Sequence, residues 1–560
     1  MAIMAWLAAR DSGFFPKEAL TGALAAWALL GIVVVALWNR FELPEPSVWP
    51  VVTFALVPAW TAVTALWSIG PSFTLVEASR EALYLALLIA VLSGAARRRD
   101  VSRAAALFVA VAACLALFAL LAKVSPAYSE QYTYFSGRLL GSFGYWNGLA
   151  VFTVLGLLPC LWFASGEAVG RTGRLAAAAV LVPLMVTLFF TLSRGGIFIG
   201  AASVMLYLAL APGRLGTIVA LISAAVPSGL LILGTYAFLP TLHAAEEGTR
   251  IDPSEGRIFA LLLALAVLGA IALRAAGMLL PSRLPSTRRA QGAAAVILVL
   301  TAMGLAAFAF TQRDQLPGSD ESGREPWQRD QAGVDARGVE RLVSTRDNRI
   351  EFWEIGLENF VERPLGGSGG GTYRFVNAQL QSGKALAKDP HSLWVRFLTD
   401  QGIVGFLLLL AFLGALAWAL WRAAARKPAL RRDGLFLSIV IACLAWLADS
   451  SLEFNWALSS IAAAFFVLAG LALRLAAAPL GDDSSGLKET PRGASAVTPP
   501  EWGRLALVAL AFLLSLVLLA QLGARIFSDA AHARLDDGRL NEAEEAAGRS
   551  RLLNPFLTDP

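Results

Sequence analysis

Hydrophobic positions in this chain gather into long blocks separated by short polar stretches. Blocks of roughly membrane-spanning length fall at 19–38, 48–67, 75–94, 103–123, 146–165, 174–192, 195–211, 214–238, 257–280, 290–310, 402–422, 434–450, 457–476 and 503–522. A helix of about 20 residues crosses a hydrocarbon core of roughly 30 Å. In lipid, a helix satisfies its own backbone hydrogen bonds within one segment. The pattern predicts an all-α polytopic membrane protein with about 12–14 transmembrane helices. Blocks 48–67 and 434–450 are short or polar-tinged, which leaves a tilted or re-entrant path open for them.

The polar stretches divide the chain. Residues 1–476 read as one polytopic membrane domain containing a single large hydrophilic loop, 311–401. Residues 477–502 are rich in Gly, Pro and Ser and read as a flexible linker. Block 503–522 is the last span. Residues 523–560 read as helix, turn at Gly538, helix and Pro555, and this pattern resembles one tetratricopeptide repeat, with Ala543 and Ala546 at its small positions. One repeat cannot bury its own apolar face, and about three are usually needed. The tail then either docks on the membrane domain or belongs to a longer array; a plain amphipathic hairpin fits equally well.

Lys and Arg crowd the stretches 95–103, 170–174, 281–289 and 422–432. Short basic loops mark the cytoplasmic side of a membrane protein. The opposite, extracytoplasmic side then carries 124–145, 192–195, 239–256, the 311–401 loop, 451–456 and both termini.

Composition narrows the reading. The chain is 57% hydrophobic and 16% charged, whereas soluble domains run near half apolar and a quarter charged. A net charge of +5, spread over short loops, suits topology signals better than a nucleic-acid surface. Cys114, Cys160 and Cys443 all lie inside apolar blocks. They read as packing residues and indicate neither a disulfide framework nor a zinc site. The first ten residues are too short an apolar run for a cleaved signal peptide, and polar residues follow from Asp11 to Glu18.

Candidate chemistry converges on the stretch from Arg346 to Gly405, where charge, aromatic rings, glycine and a histidine meet. Ser344 with Asp347 three residues on is a capping pattern, so a helix is expected to start near Thr345. Arg346, Arg349 and Trp353 then share one helix face. Two guanidiniums beside an indole can hold phosphate oxygens; a surface helix whose arginines pair with Asp347 and Glu354 is the alternative. The run Gly366-Gly367-Ser368-Gly369-Gly370-Gly371 could present amides to an oxyanion or act as a hinge. It lacks the Gly-Lys-Ser/Thr of a nucleotide-binding loop. His391 lies just before a span and could take a proton from a sugar hydroxyl, with Asp389 placed to orient it. The other histidines are His243 and His532, and no acidic pair or His/Cys group suggests a metal site. Within the membrane blocks, Arg194 follows Thr191-Leu192-Ser193 and precedes Gly195-Gly196, which allow close helix approach. A charge at that depth is costly and usually functional or paired. Arg80 and Glu81 interrupt block 75–94 and either pair with other charges or line a polar cavity. Asn147 sits in a glycine-flanked turn, RLLGSFGYWNGLA, 138–150.

Taken together, LWSIGPSFTLVEASREALYL (66–85), RLLGSFGYWNGLA, TLSRGG (191–196), the segment from Arg346 through Trp353 to PLGGSGGGTY (364–373), and HSLWVRFLTDQGIVGFLLLL (391–410) resemble the O-antigen ligase and O-antigen polymerase superfamily. The similarity extends in patches over roughly 60–475. It implies a GT-C-like membrane glycosyltransferase in the cytoplasmic (inner) membrane that uses neither a nucleotide sugar, a cofactor nor a metal. Such enzymes move an oligosaccharide from undecaprenyl pyrophosphate to an acceptor hydroxyl on the extracytoplasmic face, in cell-surface polysaccharide assembly. The acceptor is a glycolipid in ligases, another lipid-linked unit in polymerases, and protein in some O-oligosaccharyltransferases. The family histidine matches His391. The family's pyrophosphate-holding arginines match Arg194 and one of Arg346 and Arg349. Arg80, Asn147, Trp353 and Asp400 are expected in support, although relatives often carry Glu at the position of Asp400 and Asn-Pro-Asn at Tyr145-Trp146-Asn147. A lipid-linked sugar flippase, or a scaffold presenting the tail hairpin, are the readings from other classes. A flippase would be expected to show internal repeats, and none is visible here.

Overall fold

The structure, a computed structural model, describes residues 1–94, 97–125, 128, 138–243, 251–279, 349–381, 387–478 and 496–557. The expected span at 290–310, the capping pattern at Ser344 and Arg346 lie outside the described residues, as does most of the linker. The described chain is almost wholly α-helical, with a single pair of two-residue strands. Ten described helices are long and apolar enough to cross a membrane. The chain is therefore an all-α polytopic membrane protein. It divides into two compact units, one formed by Met1–Ala105, Arg349–Arg431 and Ser450–Pro560, the other by Ala106–Asn348 and Arg432–Asp449.

The first unit contains α1 (Ala2–Ala8), α2 (Pro16–Ala36), α3 (Val48–Thr64) and α4 (Pro71–Gly94). It receives the start of α5 (Arg98–Val124). The second unit takes the rest of α5, then α6 (Trp146–Ser165), α7 (Arg171–Phe190), α8 (Arg194–Leu210), α9 (Arg214–Phe238) and α10 (Pro253–Gly277). After the loop, the first unit resumes with α11 (Arg349–Glu362), α12 (Tyr373–Leu380) and α13 (Leu393–Arg426). Helix α14 (Gly434–Ser450) belongs to the second unit, and α15 (Ser459–Ala477), α16 (Glu501–Asp536) and α17 (Leu540–Leu553) to the first.

Helix α4 is the axis of the first unit, packed by α2, α3 and α15. It is too charged for a lipid-facing span, and its Glu77, Arg80 and Glu81 are all buried inside the protein. Below them an aromatic core binds α3, α4, α13 and α15 together. The Tyr84 ring stacks on Phe466 at 5.3 Å, and its hydroxyl donates to the Trp456 carbonyl at 2.7 Å. Phe54 meets both Phe412 and Phe466 at under 5 Å between centroids. By contrast α16 packs along α2 and leaves most of its apolar side chains facing outward, Phe512, Leu513 and Val517 among them, as lipid contact requires.

Contacts within the first unit sort its loops into two ends. At one end Ser459 donates to the Gly13 carbonyl at 2.7 Å, the Ile69 amide donates to the Ser368 carbonyl at 3.0 Å, and Arg349 pairs with Glu453. At the other, Leu43–Pro44 (β1) pairs antiparallel with Ala496–Val497 (β2). There, too, Arg504 bonds the Trp38 carbonyl, and the Lys427 ammonium donates to the carbonyls of Ala476, Ala477 and Ala478 at 2.8, 3.2 and 3.1 Å. A cation on the last carbonyls of α15 complements both unsatisfied acceptors and the helix dipole. The first group joins the loop 311–401 to 451–456, and the second joins 422–432 to the linker, which is the partition that span alternation predicted. The linker departs from expectation at its far end, where residues 496–497 are fixed in the strand pair.

The second unit depends on small residues for close packing. A Cβ on Gly156 would lie 2.5 Å from Ala112, and one on Gly196 would lie 2.6 Å from Ala150. Only Gly196 of the Gly195-Gly196 pair is buried this way; Gly195 is exposed. Helices α8 and α14 run to seventeen residues each, short of the others.

The tail follows the predicted helix–turn–helix. Gly538 makes the turn with φ 75°, and α17 folds back on α16. Ala543 and Ala546 are buried, and the Ser550 hydroxyl donates to the Ala524 carbonyl at 2.8 Å. The last span and the first helix of the hairpin form one continuous helix of 36 residues.

Candidate functional site

The break in α13 organises the site. Residues 393–401 and 403–426 are both helical, but Gly402 between them has φ 65° and ψ −167°. That conformation is essentially restricted to glycine. A break strands carbonyls on one side and amides on the other, and neither can be left bare in a dry interior. The segment from Pro364 to Gly371 fills the gap. Ser368 and Gly369 donate their amides to the carbonyls of Thr399 and Asp400 at 3.1 and 2.8 Å. Ile403 and Val404 donate to the carbonyls of Pro364 and Leu365 at 2.8 and 3.4 Å. The two backbones lie so close that a Cβ on Gly367 would sit 2.4 Å from the Asp400 carbonyl carbon.

This changes the reading of the glycine run. The amides of Ser368 and Gly369 are committed to α13, that of Gly371 donates to the Asp400 carboxylate at 2.8 Å, and that of Gly370 reaches the Thr64 hydroxyl at 3.4 Å. Neither an oxyanion cradle nor a free hinge results; the run is a wedge that holds a helix open. Two indoles fasten it: Trp60 donates to the Gln401 carbonyl at 3.1 Å and Trp67 to the Gly366 carbonyl at 3.4 Å.

The first half of α13 carries Arg396, which is buried between two acids. It lies 2.9 Å from Glu77 and is hydrogen-bonded to Asp389. Glu77 is also paired with Arg80 at 2.5 Å. Arg80 in turn bonds the Ser459 hydroxyl at 3.2 Å and the Phe14 carbonyl at 2.8 Å. The result is a chain of alternating charge, Arg80–Glu77–Arg396–Asp389, in which every member has a partner of opposite sign. Glu81 stands beside it, accepting from Thr61 at 2.5 Å and from Gln401 at 3.1 Å.

Asp389 is the link to His391. Its Oδ1 accepts the His391 amide at 2.9 Å, and its carbonyl oxygen lies 3.0 Å from His391 Nδ1. The residue takes φ 54°, unusual for a side chain of this size, and the turn is fixed by these two bonds. A carbonyl only accepts, so this contact calls for the proton on Nδ1 and makes Nε2 the nitrogen able to accept. Among the described residues Nε2 has no hydrogen-bond partner. The ring stands between Phe352 at 5.7 Å and Phe454 at 4.8 Å.

Of the residues expected in support, Arg80 belongs to the charge chain and Asp400 to the clasp around Gly371. Arg349 is bound to Glu453, and Trp353 is partly buried with its indole nitrogen unpartnered. In the second unit Ser193 caps α8 by accepting the Gly196 amide at 3.2 Å, which sets Arg194 on the first turn. Arg138 holds that turn through the Thr191 carbonyl at 3.1 Å and the Leu192 carbonyl at 3.3 Å, and it bonds Asn147 at 3.1 Å. Its guanidinium also covers the Trp146 ring at 4.1 Å.

Sequence reasoning missed Glu77, Arg138, Arg374 and Arg396. The signal for Glu77 was a third charge at helical spacing from Arg80 and Glu81. Arg374 sits on α12 over the Phe73 ring at 4.7 Å and forms no ion pair among the described residues. Burial, with Arg80 and Arg396 nearby, pulls its guanidinium below the usual arginine range. Such a group is stabilised by an added anion.

A broken helix held open by a glycine wedge, with buried ion pairs bracing a histidine at its mouth, defines a polytopic membrane protein with a polar site at the end of its helices. Comparison adds a family likeness: residues 253–410 match the family model described as O-antigen ligase, which supports the resemblance read from the sequence. Among solved structures, the archaeal oligosaccharyltransferase AglB from Archaeoglobus fulgidus, in complex with an inhibitory peptide and a dolichol-phosphate, aligns at 13% identity and a TM-score of 0.30. The alignment covers 92% of this chain and 59% of AglB, so this chain spans less than two thirds of that protein, and a likeness this weak carries no argument. A comparison with curated proteins gives no match.

Proposed function

We propose that this protein is a membrane glycosyltransferase of GT-C type that moves an oligosaccharide from undecaprenyl pyrophosphate to an acceptor hydroxyl at the extracytoplasmic face of the cytoplasmic membrane. The observation that carries the reading is the contact between His391 Nδ1 and the Asp389 carbonyl at 3.0 Å, which engages Nδ1 and leaves Nε2 as the ring nitrogen that can accept a proton. In the reaction the acceptor oxygen attacks the anomeric carbon, and the bond from that carbon to pyrophosphate breaks. The leaving electron pair goes to undecaprenyl pyrophosphate, and the acceptor proton goes to His391 Nε2. A base so placed contributes about 10²–10⁴-fold.

Pyrophosphate is a good leaving group, so the barrier falls mainly through stabilisation of its growing charge. One well-aimed donor in a water-poor site is worth about 3–4 kcal/mol. Arg374 suits that role because it forms no ion pair among the described residues. The family resemblance also assigns Arg194 and either Arg346 or Arg349 to phosphate, with Trp353 in support, and these assignments stay part of the proposal. No step calls for a metal ion. Attack from the face opposite the leaving group inverts the anomeric centre, and retention in an NMR linkage assignment would exclude it. The α16–α17 hairpin is assigned as one tetratricopeptide-like unit, on the strength of its buried Ala543 and Ala546 and the Gly538 turn.

The test is release of undecaprenyl pyrophosphate from a lipid-linked oligosaccharide by purified protein in EDTA. Wild type is expected to release it, and His391→Ala and Arg374→Ala to lose most of that activity. A product ladder would assign a polymerase, and a single transfer would assign a ligase to glycolipid or protein. Equal activity in His391→Ala and wild type would sink the assignment of the base. A flippase would move the lipid-linked sugar across vesicles and release no pyrophosphate.

A further inference from the structure

The wedge has an outer face that the mechanism above does not use. Trp60, Trp67, Arg363, Pro364, Leu365, Gly366 and Gly367 line a groove of about 520 Å³ in the first unit. Volumes of this order hold small ligands. The two indoles stand 5.7 Å apart at 58°. Each is fixed by its N–H, Trp60 on the Gln401 carbonyl and Trp67 on the Gly366 carbonyl. Tryptophans of a membrane-interface belt sit with their polar edge at the headgroups. Here both N–H groups are spent on the wedge, so what the groove offers is ring surface. Arg363 closes the same groove with an exposed guanidinium that has no ion pair among the described residues. Gly366 keeps the groove open, because a Cβ there would lie 2.6 Å from the Trp67 ring.

Flat aromatic walls with a bidentate donor at the rim match one class of ligand, a pyranose ring. Its C–H face packs on indole, and its hydroxyl or carboxylate groups accept from guanidinium. We propose that this groove is a glycan-binding site that holds a sugar unit of the donor or acceptor chain while its end reacts elsewhere. The wedge is bonded to residues 399–404 of α13, and His391 lies just ahead of that helix. Residues 392–401 span about 15 Å along it, so the groove meets sugars a few units away from the reacting end. This inference rests on the glycan-transfer reading above. It adds a grip on the polymer that sets affinity and leaves the chemical step alone.

The experiment is radical footprinting of Trp67 and Leu365 in lipid nanodiscs, with three probes added separately. These are free oligosaccharides released from the host's surface polysaccharide, the corresponding lipid-linked oligosaccharide, and anionic phospholipid alone. Both glycan probes are expected to protect the groove, and the lipid-linked one should lose protection when acceptor oligosaccharide competes if the site belongs to the acceptor. Trp67→Ala and Gly366→Ala, which also disturb the wedge, should weaken oligosaccharide binding by roughly 2- to 10-fold, the scale of one aromatic contact, and Arg363→Gln, which leaves the indole bonds to the wedge in place, should weaken binding on the same scale and raise KM with little change in kcat. Trp67→Phe, which keeps a ring but drops the N–H, should retain most of the binding. His391→Ala should abolish transfer and leave protection intact, which separates failure of this site from failure of the transfer reading. Protection by phospholipid alone equal to that by glycan, or unchanged KM in Arg363→Gln, would overturn the proposal.

Discussion

Replacing Gly402 by alanine tests the broken helix directly. At φ 65° and ψ −167° a residue with a Cβ is strained by about 1–3 kcal/mol. The new methyl also lands 2.4 Å from the backbone carbon and oxygen of Leu365, which cannot swing aside as a side chain would. Relief requires the wedge to withdraw, and that breaks the bonds from Ile403 to Pro364 and from Val404 to Leu365. Each bond is worth about 0.5–1.5 kcal/mol net, more if its partners stay buried and unpaired. The total is roughly 2–6 kcal/mol against the native arrangement. Gly414 is the control, since it lies in the same helix with nothing within 4 Å of its would-be Cβ. Gly414→Ala should be neutral or slightly stabilising. Thermal unfolding of both variants in one detergent, with backbone amide exchange read at Ile403 and Val404, makes the comparison. Gly402→Ala should unfold well below Gly414→Ala, exchange faster at both amides and lose transfer. Equal midpoints with both amides still protected would refute the account of the wedge.

Other expectations follow from single contacts. Arg396→Met strands Asp389 in the interior and leaves Glu77 with Arg80 alone, and should cost about 3–5 kcal/mol; adding Asp389→Asn should recover part of the lost stability, and a fully additive double variant would dissolve the proposed charge chain. Arg138→Met removes the clamp on the turn before Arg194, so KM for the lipid-linked donor should rise about tenfold, the effect of roughly 1.4 kcal/mol, with the thermal midpoint lowered only modestly. Ser550→Ala deletes one bond between α17 and α16 and should loosen the hairpin by about 1 kcal/mol, seen as faster proteolysis at Gly538, with transfer unaffected.

Helices were the legible part of this chain, because lipid demands long apolar runs and the sequence obeys. Helix α4 was legible too, although its charges concealed its position: Arg80 and Glu81 stood out, while their use in a buried chain depends on Arg396, more than 300 positions away. His391 drew attention through its rarity. Its bracing by Asp389 is local, two residues apart, and was readable for that reason. The wedge was not. Six positions of glycine and serine have no periodicity, and their partners lie on Thr399 to Val404, so nothing nearby reveals whether the amides face a ligand or a helix. Arg349 shows the same limit, since the Glu453 that binds it comes a hundred residues later. Arg374 and Arg138 were overlooked because each sits beside a louder signal, the glycine run and the Tyr-Trp-Asn turn.

Helix α16 has a consequence for the tail. Its 36 residues measure about 54 Å, nearly twice the roughly 30 Å of a hydrocarbon core. With 503–522 inside the lipid, the remainder stands up from the surface as a stiff mast. Helix α17 descends that mast, for Leu553 returns to within 3.0 Å of where a Cβ on Gly523 would be. The loop at Gly538 is thus the far point, some 20 Å out, and Leu552 and Phe556, both exposed, come back down to the headgroups. A spin label at Gly538 should relax with soluble quenchers, and one at Phe556 with lipid-dissolved oxygen. The end of α17 thereby lies back at the membrane surface, and the turn at Gly538 is the part of the hairpin that reaches furthest into water.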